Sequence, residues 1–311
     1  MILSASRRTD IPCFYSGWFM NRIKAGYALT RNPMNHAQLS RLALSPEIVD
    51  CIVFWTKDAK NIMPHLDTLD GMGYKYYFQF TLTPYDRTLE HKLRDKAEIE
   101  DTFLELSKQI GKQRVLWRYD PIIFNDTLDI AYHRKQFERM CDKLADYTET
   151  VTISFVDMYP KLKTNLIREI TADEIIELSI FIGKTAKEHG LRIVACCEKI
   201  GLTQYGIEKA SCIDKTTLEK ACGCTLNILS GKNQRPDCGC MESVDIGAYN
   251  TCLNGCVYCY ANDNSATIER RHNSHNPKNE LLIGTVADAK KIIERKVKSH
   301  RQKQMTFFYC L

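Results

Sequence analysis

Residues 151–197 contain the clearest copy of the pattern that predicts the fold. The segment VTISFVD (151–157) precedes TADEIIELSIFIGKTAKEHG (171–190), and RIVACC (192–197) follows. The outer segments are short, apolar and rich in β-branched residues, which is typical of buried strands. The middle segment begins with a capping box of Thr171 and Glu174 and ends at Gly190, which favours a left-handed cap. Its apolar stripe consists of Ile175, Leu178, Ile182 and Ala186. These features predict a strand–helix–strand unit.

The same alternation occupies the first 200 residues. Strands are predicted at 1–6, 51–56, 74–83, 114–120, 151–157 and 192–197. Repeated units of this kind predict an α/β fold with a parallel sheet and external helices. Six units favour a full or partial (β/α) TIM-like barrel. We assign residues 1–200 to the barrel units and 201–311 to a Cys-rich iron–sulfur region, whose terminal strand and helices complete the barrel. One helix is predicted after the last cysteines and another over 286–300.

The chain has 311 residues, which allows one large core. No apolar run approaches the ~20 residues that cross a bilayer, and the first residues do not resemble a signal peptide. We therefore expect a cytoplasmic protein without a membrane partner. Of the 14 cysteines, ten lie between residues 196 and 259. Because disulfides are rare in a reducing compartment, this concentration favours metal or redox chemistry.

Polar side chains follow each predicted strand of the first 200 residues. In a parallel barrel these strand ends build the catalytic face. The set comprises Arg7, Arg8, Thr9 and Asp10, then Thr56 and Lys57, Thr81 and Thr83, Arg118 and Asp120, Ser154 and Asp157, and Glu198. A surface or turn role remains the alternative for each member.

The segment NTCLNGCVYCYA (250–261) contains C-x3-C-x2-C. Its thiolates, Cys252, Cys256 and Cys259, can ligate three irons of a 4Fe–4S cluster. The fourth iron then stays open to a small chelating molecule. A structural zinc ion would instead require four protein ligands.

This spacing, with Tyr258 before the last cysteine, resembles the cluster motif of the radical S-adenosylmethionine superfamily. The resemblance implies that S-adenosylmethionine chelates the open iron and is cleaved reductively to a 5′-deoxyadenosyl radical. The electron would come from a reductant such as flavodoxin or ferredoxin. The chain also resembles an uncharacterised bacterial family, domain of unknown function 1848, through SASRRTDIP, FWTKDAKN, QFTLTPYD, WRYDPII, SFVDMYPK, CCEKIG and QRPDCGCMESVDIGAYNTCLNGCVYCYAN.

A weaker similarity is to the spore photoproduct lyase branch, whose members repair DNA. A Thr-Lys strand end, a Thr-Thr strand end and a Pro-Ile-Ile segment follow the cluster motif in that branch. Here the order is kept, but Thr56-Lys57, Thr81 with Thr83, and Pro121-Ile122-Ile123 precede the cysteines. The departure suggests a circular permutation in which a strand at 244–249 is the first of the barrel.

The resemblance also suggests roles for the strand ends, although the superfamily's Gly-Gly-Glu segment is absent. We expect Asp10 to accept from the ammonium of S-adenosylmethionine, and Arg7 or Arg8 to pair with its carboxylate. The backbone of Tyr258 would lie near adenine, and Thr81 and Ser154 would line the cofactor site. The expected catalytic residues are Asp10, Lys57 and Arg118.

A second metal site is predicted at Cys197, Cys212, Cys238 and Cys240, the positions that the family resemblance favours. An auxiliary 4Fe–4S cluster is preferred there over zinc, and free thiols in a loop remain an alternative. The chain would thus hold one or two clusters.

Two other functions stay open. One is a zinc-stabilised protein that binds nucleic acid through the basic terminal helix, with Lys290, Lys291, Arg295, Lys296 and Lys298. The other is an iron–sulfur electron carrier. The sequence does not identify a substrate, for which nucleic acid is one candidate.

Overall fold

The computed structural model describes residues 1–302 except 33–34, 159–161, 163 and 233–237. These residues form eleven β-strands and eight α-helices, which we number in chain order. The strands are β1 (Ile2–Ala5), β2 (Tyr27–Asn32), β3 (Asn35–Ala43), β4 (Cys51–Thr56), β5 (Tyr76–Thr81), β6 (Val115–Ile122), β7 (Thr150–Phe155), β8 (Arg192–Ala195), β9 (Glu208–Lys209), β10 (Val244–Asp245) and β11 (Lys291–Glu294).

Eight strands form one parallel sheet in the order β10-β1-β4-β5-β6-β7-β8-β9. The α/β prediction is therefore confirmed, and the predicted strand 51–56 coincides with β4. β10 lies next to β1, with Val244 paired to Leu3. Within the described residues no ladder joins β9 to β10, so closure into a barrel stays a prediction.

Helices α4, α5 and α6 connect neighbouring strands and pack in the large core on the outer side of the sheet. α6 carries both capping-box hydrogen bonds between Thr171 and Glu174, as predicted, and buries Leu178 and Ile182. None of the described helices is both long and apolar enough to cross a membrane. The helices are α1 (Ile11–Phe14), α2 (Ser16–Ala25), α3 (Leu66–Gly71), α4 (Lys96–Ile110), α5 (Ile130–Leu144), α6 (Ala172–Glu188), α7 (Lys215–Cys222) and α8 (Ser265–Asn273).

Alternate strand residues face two separate cores, because successive side chains of a strand point to opposite faces. Ile52 and Phe78 pack in the large core with the helices. Val53, Tyr77 and Leu116 belong to a smaller core on the other face, which also contains Ile213, Leu218 and Leu226. The segment around α7 therefore packs against the inner face of the sheet.

A second sheet has the order β11-β3-β2. It corrects two expectations, because the β2–β3 hairpin was not predicted and the helix over 286–300 is wrong. That region forms a 3-10 turn (Val286–Asp288) and then β11, which pairs in parallel with β3. The edge of β3 offers backbone hydrogen bonds to residues 291–294 and so favours a strand there. A prediction from local helix propensity does not include this long-range pairing. α8 confirms the helix predicted after the cysteines.

Candidate functional site

The polar side chains near the strand ends lie at one edge of the parallel sheet. They form two groups, and the members of each group are hydrogen-bonded to one another. In the first, Thr56 Oγ1 and the backbone N of Lys57 each donate to the Asp10 carboxylate at 2.8 Å. In the second, the Ser154 hydroxyl donates to Asp120. These contacts join the segment between β1 and α1 to the end of β4, and join β6 to β7.

Asp10 joins this edge to the cysteine loop. Oδ1 accepts from Cys13 N at 3.0 Å and from Thr56, and Oδ2 accepts from Lys57 N and from Asn254 Nδ2 at 3.1 Å. Burial raises the pKa of Asp10 to about 6, and these hydrogen bonds oppose the shift. Each oxygen already accepts two hydrogen bonds, which indicates a positioning role. Its contact with an ammonium group stays a prediction.

The cysteine loop (250–261) follows β10 and is fixed at its base by the hydrogen bond from Asn250 N to Ala261 O. Its middle lies on the connection between β5 and α4. Val257 N donates to Leu89 O at 2.9 Å, and Lys92 N donates to Asn254 O at 3.1 Å. The connection after β5 therefore holds the loop at the polar edge.

The three cysteines of this loop lie within electrostatic range of one another. Burial raises the pKa of Cys252, and it raises that of Cys256 to about 12 although Lys57 opposes the shift. Thiols in such surroundings become thiolates when a metal cation compensates the charge. The donor set is soft, which suits iron–sulfur ligation.

Asn254 Oδ1 of the loop and Asn262 Oδ1 of the residue that follows it are buried and have no hydrogen-bond partner among the described residues. Unsatisfied buried acceptors are rare and indicate an absent donor. No three His, Cys, Asp or Glu side chains of the described chain converge on a single metal ion. Because the cysteines of a 4Fe–4S cluster bind separate irons, they need not converge in that way. The loop therefore fits a three-cysteine cluster with a polar ligand beside it.

Glu90 is the main residue that the sequence analysis missed. Its carboxylate is fully enclosed and accepts from Lys57 Nζ at 2.7 Å, from Lys96 Nζ, and from the Tyr258 hydroxyl. Burial alone would raise the pKa of Glu90, but the two ammonium groups lower it to about 2. Lys57 Nζ also lies 5.5 Å from the Tyr258 ring centroid. Glu90 thus binds Lys57 to the cysteine loop.

The comparisons with known proteins give one family. The model described as "Domain of unknown function (DUF1848)" matches residues 2–261. The chain belongs to this family. No curated protein matches the chain.

Among solved structures, the DUF1848 chain is similar to a crystal structure described as a candidate alpha-L-fucosidase from Bacteroides thetaiotaomicron VPI-5482. The match has 11% identity and a TM-score of 0.25, and covers 55% of this chain and 71% of that chain. It carries no argument about function.

In this DUF1848 chain, Arg118 lies on the inner face of the sheet. Its guanidinium pairs with Asp120 and donates to Gln79 Oε1 at 3.1 Å. Arg118 and Arg7 both approach the Trp55 ring, at 5.4 and 5.8 Å from its centroid. These residues form a polar floor beneath the strand ends.

The other predicted residues lie around this floor. Arg8 lies 5.1 Å from the Tyr249 ring centroid and donates to Gly247 O at 3.5 Å. Thr81 is the last residue of β5 and pairs with Arg118 in the ladder to β6. Their assigned roles toward a cofactor stay predictions.

A second group of thiols contacts Arg118 and includes a residue that the sequence analysis had not chosen. Cys212 Sγ lies 3.0 Å from Cys196 Sγ, and both hydrogen-bond with Cys240. Hydrogen bonds from Cys196 and Cys240, with help from Arg118, lower the pKa of Cys212. Cys197 Sγ lies 3.7 Å from Cys196 Sγ. Cys196 thus contacts three of the four predicted ligands, Cys197, Cys212 and Cys240.

The strand pattern explains the place of Cys196. Ile193 and Ala195 of β8 pack in the large outer core, so the next residue faces the inner side. Cys197 follows with a left-handed backbone, at φ 58°. Alternation along β8 was the signal that could have identified Cys196. Cys238 is half-buried, and its role as a ligand stays a prediction.

Proposed function

We propose that this DUF1848 protein is a radical S-adenosylmethionine enzyme. The observation that carries the proposal is the gathering of Cys252, Cys256 and Cys259 in one loop at the polar edge of a parallel sheet. The three thiolates would ligate three irons of a 4Fe–4S cluster and leave the fourth iron for S-adenosylmethionine. Bound there, the cofactor supplies a 5′-deoxyadenosyl radical on one-electron reduction.

The residues around the loop offer groups for both ends of the cofactor. Asn254 Oδ1 is a buried acceptor with no partner in the described part of the chain, so it can accept from the cofactor's ammonium. Arg7 or Arg8 can pair with the carboxylate through a planar guanidinium. The Tyr258 backbone remains the candidate for adenine, and Thr81 and Ser154 remain candidates for lining the site. Asp10 would act by holding Asn254 and the end of β4 together.

Lys57 would balance the negative charge of the cluster ligands. Glu90 and Cys256 both raise the pKa of Lys57 against the effect of burial, so its ammonium stays protonated beside the thiolates. The Tyr258 hydroxyl keeps its proton, because burial and Glu90 raise its pKa. Lys57 is in addition a proposed catalytic residue within electrostatic range of Cys256.

We assign Cys196, Cys212 and Cys240, with Cys238 or Cys197, to an auxiliary 4Fe–4S cluster. Its soft donors and the adjacent Arg118 guanidinium support a bound anionic cluster. Arg118 would then contact both this cluster and the Trp55 ring of the polar floor.

A circular permutation of the superfamily fold is part of the proposal. β10 precedes the cysteine loop and pairs with β1, which supports β10 as the first strand of a permuted barrel. The reductant would be a flavodoxin or ferredoxin. The nucleic-acid-binding alternative loses support, because the basic segment after residue 288 is not the helix on which it rested.

Anaerobic incubation with S-adenosylmethionine and dithionite tests the function, with 5′-deoxyadenosine as the product measured. We expect formation by the wild type and none by Cys256→Ala. Cys141→Ala, which alters a buried thiol in the large outer core, is the matched control and should keep activity. A reconstituted iron-containing protein that cycles between redox states without 5′-deoxyadenosine would instead be an electron carrier.

A further inference from the structure

A third group of thiols lies at the end of β4 away from the polar edge. Cys51 is the first residue of β4, while Lys57 follows its last, and six residues of strand span about 20 Å. Cys222 ends α7, and Cys224 follows Gly223, whose φ is 67°. Neither of the proposed clusters uses these cysteines.

Cys222 is the centre of this group. Its Sγ lies 3.1 Å from the backbone O of Asp50, the residue before Cys51, and Cys222 and Cys224 both pack against the core that contains Cys51. Cys51 is completely buried, whereas Cys222 and Cys224 are half-buried. A small oxidant can therefore approach Cys222, while its neighbour Cys51 is shielded.

The surroundings divide the chemical roles of the two thiols. The neighbouring Cys51 thiol lowers the pKa of Cys222 and the Arg301 guanidinium adds to this effect, although burial and the Asp50 carboxylate oppose it. Burial raises the pKa of Cys51, so this thiol keeps its proton. A thiolate that is accessible and adjacent to a second thiol is the usual arrangement of a peroxide-sensitive cysteine.

We propose that Cys222 and Cys51 form a peroxide-responsive pair that closes into a disulfide. The Cys222 thiolate attacks hydrogen peroxide, the O–O bond breaks, and Cys222 becomes a sulfenic acid while hydroxide leaves and takes a proton to form water. Cys51 sulfur then attacks the Cys222 sulfur, and the hydroxyl group leaves with the Cys51 proton as a second water. Two thiols are oxidised and one peroxide is reduced to two waters.

The disulfide would connect α7 to β4. The segment around α7 packs on the inner face of the sheet and carries Cys212 before the helix and Cys240 after it. A bond from its helix to the sheet fastens this segment to the strand that bears Trp55. It closes a long loop and so restricts the unfolded chain. The site is independent of the proposed radical function.

Peptide mapping of the full-length protein after treatment with hydrogen peroxide and alkylation tests the pair. Trypsin places Cys51 in the peptide 42–57 and Cys222 with Cys224 in 221–232. We expect these two peptides to be linked, the link to be lost with dithiothreitol, and the unfolding temperature of the linked protein to rise by several degrees. The mapping requires neither cluster nor cofactor, so its outcome is separate from that of the 5′-deoxyadenosine assay.

Variants decide which thiols take part. Cys224→Ala should keep the link between 42–57 and 221–232, and Cys51→Ala should abolish it and leave an oxidised Cys222. The proposal would be overturned if Cys51, Cys222 and Cys224 all remained open to alkylation at a peroxide concentration that oxidises free cysteine. A link within 221–232 alone would also overturn it, as would zinc bound to the three thiols in native mass spectrometry and lost in Cys224→Ala.

Discussion

Asn254 Nδ2 donates to Asp10 Oδ2 at 3.1 Å, a contact that joins the cysteine loop to the N-cap residue of α1. The two residues are 244 positions apart in the chain, yet both are buried at the same edge of the sheet. The Asp10 carboxylate also holds the C-terminal end of β4 and the start of α1. The position of the cysteine loop therefore depends on one carboxylate with four donors.

Asp10→Asn should destabilise the protein by about 1 to 3 kcal/mol, because its amide nitrogen would face donors that then lose their acceptor. The free energy of unfolding in urea measures this effect. Asp95→Asn is the matched control, since this exposed residue caps α4 and asparagine caps a helix equally well. Equal stability of Asp10→Asn and the wild type would contradict the positioning role of Asp10.

Glu90→Gln should cost about 3 to 5 kcal/mol, because it leaves the Lys57 and Lys96 ammonium groups without their buried partner. Chemical denaturation of the two proteins measures the difference. Glu98→Gln breaks only an exposed pair with Arg94 and should change stability by less than about 0.5 kcal/mol. The interpretation of Glu90 fails if both variants behave alike.

Cys196→Ala should lower the iron of the anaerobically reconstituted protein from about eight atoms per chain to about four. Cys196 joins Cys212 and Cys240, so its removal should abolish the auxiliary cluster. Cys197→Ala is the adjacent control and should lose less iron. Iron analysis distinguishes the two residues, and a loss confined to Cys197→Ala would restore the assignment made from the sequence.

Acid should destabilise the protein through His133. Burial lowers the pKa of this histidine to about 4, and its ring contacts Tyr119 and the backbone O of Ile123, both at 2.8 Å. The folded state thus holds fewer protons than the unfolded state below pH 6.5, and stability falls as pH decreases. The loss should approach about 3 kcal/mol near pH 4.

Unfolding measured between pH 7 and pH 4 in the wild type and in His133→Asn tests this effect. The variant should show a shallower decline with acid. Parallel pH profiles for the two proteins would assign the acid sensitivity to other groups.

The elements β4 and α6 were predictable because the sequence signals for them are local. β4 follows from one apolar run, and α6 from a capping box and an apolar stripe. β11 was predicted as a helix, because its charged sequence has helix propensity and its pairing with β3 is non-local. The parallel sheet followed from alternation of strands and helices, which is a property of the whole chain.

The site was predictable only where a residue type carries its own chemistry. Cysteine spacing identified the loop, but Glu90 is one acid among many until the loop folds against it. Cys196 and Cys197 are adjacent residues of the same type. Only the alternation of side chains along β8 shows which of the two points toward Cys212. Contacts between distant segments determine such differences.

The electron paramagnetic resonance spectrum of the reduced protein, with and without S-adenosylmethionine, shows whether the cofactor binds to the cluster. If Cys252, Cys256 and Cys259 leave one iron open, the cofactor should shift the signal of that cluster, and Cys256→Ala should lack the shift. A colourless protein that holds zinc at these three cysteines, or a cluster signal that S-adenosylmethionine leaves unchanged, would contradict the account.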